Sequence, residues 1–530
     1  MKATYIDYSE TQSFSEGLIR YLNNEPELNS FQSFSPNLQG FSDLLATKKN
    51  NSNREILVEV LREQYSKLPR PIHEQVNTNI SLLLQKDAFT VCTGHQLNLF
   101  TGPLYFIFKI VTAINLAKEL KIHFPDKNFV PVYWMATEDH DFAEINHTYI
   151  SGKKISWDLE ATGATGRLTT KGIEKAVKEY LAILGVSKNA EELGILISTA
   201  YAGTKTLADA SRHLVNTLFK EYGLLILDAD DRRLKKQFSS IIAEDITGQH
   251  SFRTIVDTNN KLAEKGIEAQ VNPREINFFY LLDGLRERIV IENELYRVLN
   301  TEICFSKEEL LKEINDYPER FSPNVVMRPL YEEVILPNLA YIGGGAEIIY
   351  WMQLKQNFDY YGVDFPILLL RNSAIFASLN LETKLNRLDL SIKDIFKNSE
   401  ELKKDWVFKH TEHRLNLDNE WQELSSIFEK LKLRTYKIDP SLSPSSEAVK
   451  ARLQKAVKNL EAKLIKAEKR NFGDALKQID SIRLKLFPNG GLQERSENFG
   501  LFYVKYGKGF IETLVKNFKP LDLKFTILEE

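Results

Sequence analysis

Glu138, Asp139, His140, Asp141, Glu144 and His147 bring four carboxyl groups and two imidazoles into one short stretch. Groups crowded this way repel one another unless they bind or react with something. A histidine titrates near neutral pH and a carboxylate can orient it, so Asp139, His140 and Asp141 are the candidate acid–base residues. The same residue types hold divalent metals. However, His140-x6-His147 matches no zinc spacing and no cysteine stands nearby. No resident metal is expected, and magnesium would enter with a nucleotide. The structural alternative is that Asp141 caps the next element and His147 packs on the sheet.

Two glycine-bearing stretches could complete such a site. Thr93–Lys109 reads TGHQLNLFTGPLYFIFK. Gly94 and Gly102 let the backbone turn and approach a ligand closely, and Thr93, His95, Gln96, Asn98 and Thr101 offer donors and acceptors. The free N–H groups of the helix that follows suit a phosphate or carboxylate. Lys109 falls two turns into that helix, on a polar stripe shared with Thr112 and Asn115. Tyr341–Trp351 reads YIGGGAEIIYW, in which Gly343, Gly344 and Gly345 form a turn able to cradle phosphate and Glu347 occupies the first helical turn. It is neither G-x-G-x-x-G nor a P-loop. Arg328 and Arg371, near sheet edges, are candidate carboxylate binders. Asn489–Asn498, NGGLQERSEN, reads most simply as a loop; the alternative is a functional role with Gln493, Glu494 and Arg495 folding back to the core.

The elements that must position these residues follow the same logic. Phe129–Met135 is an apolar, β-branched run that ends where the acidic cluster begins, as a buried parallel strand ends at a ligand crevice. Ala88–Cys92 reads as a strand, Thr93–Thr101 as a loop, and a helix opens at Pro103 and runs to about Leu120. This β-loop-α-β order predicts a parallel sheet with right-handed crossovers. Helical patterns occupy Asn53–Gln64, Gly172–Leu184 and Thr204–Tyr222. Gly223–Asp228 reads as a further buried strand, Ser156–Thr169 as a hairpin or loop insertion, and Asn277–Leu282 and Arg288–Glu292 as short antiparallel strands. Val334–Leu339 reads as a strand, Ala346–Tyr360 as a helix and Phe365–Leu370 as a strand.

Farther on, Leu453, Val457, Leu460, Leu464 and Ala467 are spaced as a coiled-coil seam among Lys and Glu. Asn398–Leu433 is available as an antiparallel partner across a polar turn at Asp439–Ser446. Such projecting hairpins commonly pair, which predicts a homodimer. Phe510–Phe518 reads as a terminal helix docking back.

The chain's 530 residues suffice for several domains, and 69 basic against 72 acidic residues leave a formal charge of −3. That balance gives no electrostatic case for nucleic acid or an anionic membrane. No apolar run is long enough to span a bilayer, and the first residues lack the pattern of a secretory signal. Two cysteines, Cys92 and Cys304, exclude a disulfide framework and point to a reducing cytoplasm.

Taken together, TGHQLNLFTGPLYFIFK, PVYWMATEDHDFAEINH, FSPNVVMRPLYEEVILPNLAYIGGGAEIIYWMQLK and GLQER resemble, in order and spacing, the bacillithiol-biosynthesis cysteine-adding enzyme family. The resemblance spans essentially the whole chain, and its motif strings add Tyr105 and Asn146 to the binding candidates. It implies an α/β fold: a Rossmann-like core with connecting-peptide insertions and a C-terminal antiparallel coiled-coil arm that mediates a homodimer. On that plan residues 1–150 and 321–384 form the two parts of the core, 151–320 the insertions, 385–486 the coiled coil and 487–530 a returning segment.

The implied activity adds L-cysteine to the glucosamine amine of glucosaminyl malate, with ATP activating the carboxylate and leaving as ADP or AMP. Where many relatives carry a second Gln in the first motif, this chain has His95, whose imidazole can hydrogen-bond and also titrate. His95 therefore joins the catalytic candidates. Competing readings are a non-catalytic nucleotide- or thiol-binding scaffold and an adenylate-forming ligase for another amino acid.

Overall fold

The computed structural model describes every residue except 50, 51, 70, 203, 204, 378 and 379. The apolar runs, buried on both faces, make a central sheet of five strands: β1 (Ala88–His95), β2 (Asn128–Met135), β3 (Leu225–Asp228), β4 (Asn338–Gly343) and β5 (Ile367–Leu370). Their order is β5-β4-β1-β2-β3 and every pairing is parallel. The order reverses between β1 and β4, so a crevice must open beyond the carboxyl ends of these two strands.

The stretch read as a strand at Val334–Leu339 is corrected. Arg328–Ile335 is a helix, α2, which ends at Leu336 before Pro337, and β4 begins at Asn338. Pro337 forbids continuation of the helix, and the apolar run that pairs in the sheet is the one after it. The helix read at Ala346–Tyr360 is two helices, α3 (Gly345–Met352) and Lys355–Tyr361. Phe278–Leu282 and Leu285–Glu292 form an antiparallel hairpin within a second five-stranded sheet. The helix whose pattern was read from Thr204 spans Leu207–Phe219; Thr204 itself lies outside the described residues. The chain divides into two compact units, one of Met1–Ser9, Ser13–Phe376 and Gly491–Glu529, the other of Glu10–Gln12, Ala377–Gly490 and Glu530.

The helix after β1, α1, spans Tyr105–His123 and is buried along nearly its whole length. Its polar stripe is not solvated. Lys109 Nζ donates to the Gly94 carbonyl at 2.9 Å, the Thr112 hydroxyl accepts from Asn372 N–H, and Asn115 donates to the carbonyls of Val515 and Phe518. The last contacts dock the C-terminal helix Gly509–Asn517 on α1. Nor does Pro103 open the helix. It bridges to Asn498, and the next N–H, that of Leu104, donates to the Glu497 carbonyl. The C-terminal segment therefore takes the N–H of Leu104 at the amino end of α1.

Asn498 explains how. Its Nδ2 donates to the carbonyls of Phe100 and Gly102 and to the Thr148 hydroxyl, while Oδ1 accepts from Tyr180 and from Gly500 N–H. The loop it grips holds Phe100 and Thr101 at φ of 51° and 72°. Side chains seldom tolerate that region, so the hydrogen bonds must hold the loop against backbone strain. Gly102, at φ 65°, could carry no side chain: a Cβ would stand 2.7 Å from that of Asn98.

In the other unit the run Asn398–Leu433 is interrupted. Ser399–His410 and α4 (Asp418–Ile438) are separate helices, and α4 pairs with α5 (Ser443–Asn471). Lys450–Glu429 at 2.5 Å and Lys432–Glu447 link α4 to α5.

Truncating Asn498 to Ala leaves several buried carbonyl and hydroxyl groups unpaired. Each such group costs about 1–3 kcal/mol, and relaxation offsets part of the sum. Asn498→Ala is expected to lose about 3 kcal/mol of stability, read as a lowered urea midpoint; an unchanged midpoint would show that the loop holds itself.

Candidate active site

The crevice at the β1/β4 reversal is a cleft of about 450 Å³. Its base is set by two ion pairs. Glu347, in the first turn of α3, accepts from Lys109 Nζ at 2.5 Å, from the Tyr341 hydroxyl at 3.0 Å and from Gly344 N–H at 2.7 Å. Arg371, just past β5, pairs with Glu494 at 2.7 Å, and both side chains are almost fully buried. Glu494 also accepts from Ala374 N–H, and Gln493 from Phe376 N–H, so Gln493 and Glu494 are core groups rather than a loop. Burial pulls the Lys109 ammonium below its usual range, against the pull of Glu347.

One wall comes from the acidic stretch. Gln96 donates its amide to both Asp139 and Glu144 at 2.9 Å. Burial would raise the Asp139 carboxyl, but Arg328, the Gln96 amide and Arg286 together hold it below the normal range. Arg328 and Glu332 from α2 and the Tyr341 ring, stacked on Trp351, also line the cleft. Arg328 and Arg495 line the cleft, and neither guanidinium has a hydrogen-bond or ion-pair partner among the described residues. The cleft thus has two fixed cations, Lys109 and Arg371, already neutralised, and two uncommitted ones.

A family model described as "Bacillithiol biosynthesis BshC, N-terminal Rossmann-like domain" matches residues 1–372, and one described as "Bacillithiol biosynthesis BshC, C-terminal coiled-coil domain" matches residues 374–530. The chain belongs to the bacillithiol-biosynthesis BshC family. Relatives named "Putative cysteine ligase BshC" include those of Flavobacterium johnsoniae, 43% identical, and Flavobacterium psychrophilum, 44% identical, each over all of this chain and all of the relative. That of Christiangramia forsetii is 42% identical over all of this chain and 99% of its own.

Within this BshC-family chain the residues expected at the site divide sharply. Gly94, His95, Gln96, Tyr105, Lys109, Asp139, Arg328, Gly344, Gly345, Glu347 and Arg371 line the cleft, with Glu144 from the same acidic stretch. The others do not. His140 turns away, its Nδ1 2.7 Å from Arg286, and burial together with that guanidinium depresses its basicity. Asp141 caps the short helix Phe142–Ile145, accepting from Glu144 N–H. Glu138 is taken up by the buried Lys235 at 2.5 Å. Asn146 faces His147 at 3.0 Å. Thr93 ties β1 to β4 through the Ile342 carbonyl, Thr101 is buried in the strained loop, and Gly102 holds that loop's end. Gly343 accepts from Arg371 N–H and continues β4.

His95 lines the cleft but is buried against the rings of Tyr105 and Phe106. Burial, with Lys109 and Arg371 nearby, pushes its pKa well below the ordinary value, so the imidazole is neutral. Among the described residues no group of three or more His, Cys, Asp or Glu is placed to hold a metal. Glu332, Trp134 and Tyr350 were not read from the sequence as site residues, and Arg495 only as the lesser alternative to a plain loop. Glu332 had a signal, since it follows Arg328 by one helical turn and must share its face.

Glu333, beside Glu332, accepts from Asn338 at 2.6 Å and is raised by burial to a pKa of about 7, with Lys48 opposing. A carboxyl whose folded pKa is raised binds its proton more tightly than in the unfolded chain, so its contribution is full below the unfolded value and is lost as pH rises through the folded one. Stability relative to Glu333→Gln is therefore expected to fall between about pH 4.5 and about pH 7, read from urea midpoints of both proteins across that range. Parallel pH profiles would refute the assignment.

Proposed function

We propose that this chain is a ligase that joins the carboxyl of L-cysteine to the glucosamine amine of glucosaminyl malate, giving bacillithiol. The observation that carries the reading is the charge pattern of the cleft. Lys109 and Arg371 are committed to Glu347 and Glu494, while Arg328 and Arg495 are left for an anionic ligand. A malate glycoside brings two carboxylates to a site of that kind, and guanidinium groups are suited to carboxylate geometry. The relatives' name supplies the cysteine.

A carboxylate and an ammonium do not condense in water, so the cysteine carboxyl needs activation. ATP supplies it by turning the carboxyl into an acyl-phosphate or acyl-adenylate. Support for a phosphate-bearing ligand is confined to the α3 end of the cleft. There Gly344, Gly345 and Ala346 line the space at the start of α3. Magnesium would arrive with the nucleotide. In this proposal Asp139 and Glu144, held by one Gln96 amide, face the amine-bearing substrate.

We also propose a cytoplasmic homodimer. The α4–α5 hairpin leaves its own seam uncovered: Leu453 is 37% exposed, Leu460 52%, Ile427 51% and Ile438 81%. A second copy of the hairpin would cover this stripe. Both cysteines are free thiols, and no helix of the described residues is long and apolar enough to cross a membrane.

Incubation of the purified protein with glucosaminyl malate, cysteine and ATP is expected to give a product whose mass corresponds to bacillithiol. Arg328→Ala is expected to raise KM for the glycoside about tenfold or more with a smaller change in kcat. Absence of product across nucleotides and divalent ions would sink the ligase reading. Light scattering at micromolar concentration is expected to give twice the chain mass, and Leu453→Glu with Leu460→Glu to give the single chain; a monomeric wild type refutes the dimer.

A further inference from the structure

Glu332 is the cleft group that neither the fold nor the anion-binding reading uses. It stands in the middle of α2, one turn beyond Arg328, and is 3% exposed. Its Oε1 has no hydrogen-bond partner among the described residues, although the side chain forms part of the cleft wall. Six groups face it: Cys92 on β1, whose thiol hydrogen-bonds to it, Lys109 on α1, Arg328 and Glu333 on α2, Tyr341 on β4 and Glu347 on α3. None forms an ion pair with it. Lys109 is committed to Glu347, and Arg328 acts on it only as a nearby charge. A carboxyl buried without a counter-charge is costly, and such a group beside a cleft calls for a ligand that supplies the charge. With two guanidiniums nearby for anions, the missing ligand type is a cation small enough to reach into the wall.

We infer that Glu332 receives the amine of the acceptor substrate and holds the proton that the amine must lose before it attacks. The inference rests on the ligase reading for the identity of that amine. Burial, reinforced by Glu333, pushes the carboxyl well above its usual range. Carboxylate with ammonium and carboxylic acid with free amine are then two forms of one pair sharing one proton. Attack proceeds from the second form. The amine lone pair makes the C–N bond to the activated cysteine carbonyl, and the bond to the phosphate or adenylate breaks, its electrons leaving with that group. The nitrogen's surplus proton passes to the departing group or to water. Glu332 is thereby a catalytic residue, and the proton-handling role moves to α2 from His140 and Asp141, which lie outside the cleft.

The test compares binding of glucosaminyl malate and of its N-acetylated analogue, which has no basic nitrogen, to wild type, Glu332→Gln and Glu332→Asp. Wild type is expected to prefer the amine. Glu332→Gln is expected to lose that preference by about tenfold to a hundredfold while binding the N-acetyl compound unchanged, and Glu332→Asp to retain part of it. Unchanged binding of the N-acetyl compound also shows that the variant is folded. Retention of the full preference by Glu332→Gln overturns the inference. In turnover, Glu332→Gln is expected to lose about a hundredfold or more in kcat near neutral pH and to shift the acidic limb of the pH profile up towards the pKa of the amine itself. Wild-type-like turnover overturns it as well. If wild type forms no product yet prefers the amine through Glu332, the ligase reading fails and the ammonium site stands; if it forms product and Glu332→Gln matches it, the reverse holds.

Discussion

The cleft depends on two ion pairs kept almost out of water. Lys109–Glu347 joins α1 to the start of α3, and Arg371–Glu494 joins the end of β5 to the C-terminal segment. Each links elements distant in sequence, so the carboxyl ends of β1, β4 and β5 are tied together by charge as well as by the sheet. Breaking a buried pair by removing one partner typically costs about 3–5 kcal/mol, because the survivor remains charged and unpaired. That penalty gives the cleft a single geometry.

The same pairs decide what the cleft can bind. A site with four free cations would hold any polyanion. With two of them neutralised, the uncommitted charge is reduced to Arg328 and Arg495. The C-terminal segment is what makes the division. It supplies Glu494 to one cation and Arg495 to the cleft, while Asn498 clamps the loop between β1 and α1. A segment that resembles a polar, Gly-rich loop thus shapes one side of the site.

The sheet was legible because parallel strands buried on both faces are written as unbroken apolar runs, as in Phe129–Met135 and Phe365–Leu370. The error at Val334–Leu339 has the same origin: over a few residues an apolar run does not distinguish strand from helix, and only Pro337 marked the change. The acidic cluster was located correctly but its members were not separable. Asp139 and His140 are adjacent in sequence, yet one faces Gln96 in the cleft and the other faces Arg286 outside it. Asp141 caps the next helix, and the partners that separate their roles, Gln96 and Arg286, lie far away in the chain.

What the sequence determined by itself is local and periodic: the strands, the helices, the heptad stripe, and the family pattern that runs through four motifs. Those follow from burial and backbone propensity, which act over a few residues. The tertiary structure alone decided which charges are spent and which remain. Lys109 could be read as a solvated helix lysine or a ligand-binding one and is instead a buried partner of Glu347; Glu332 drew no reading from the sequence and has an unpaired oxygen in the cleft wall. The state of a charged group is set by its desolvation and by partners tens to hundreds of residues away, and neither is encoded in the residues beside it.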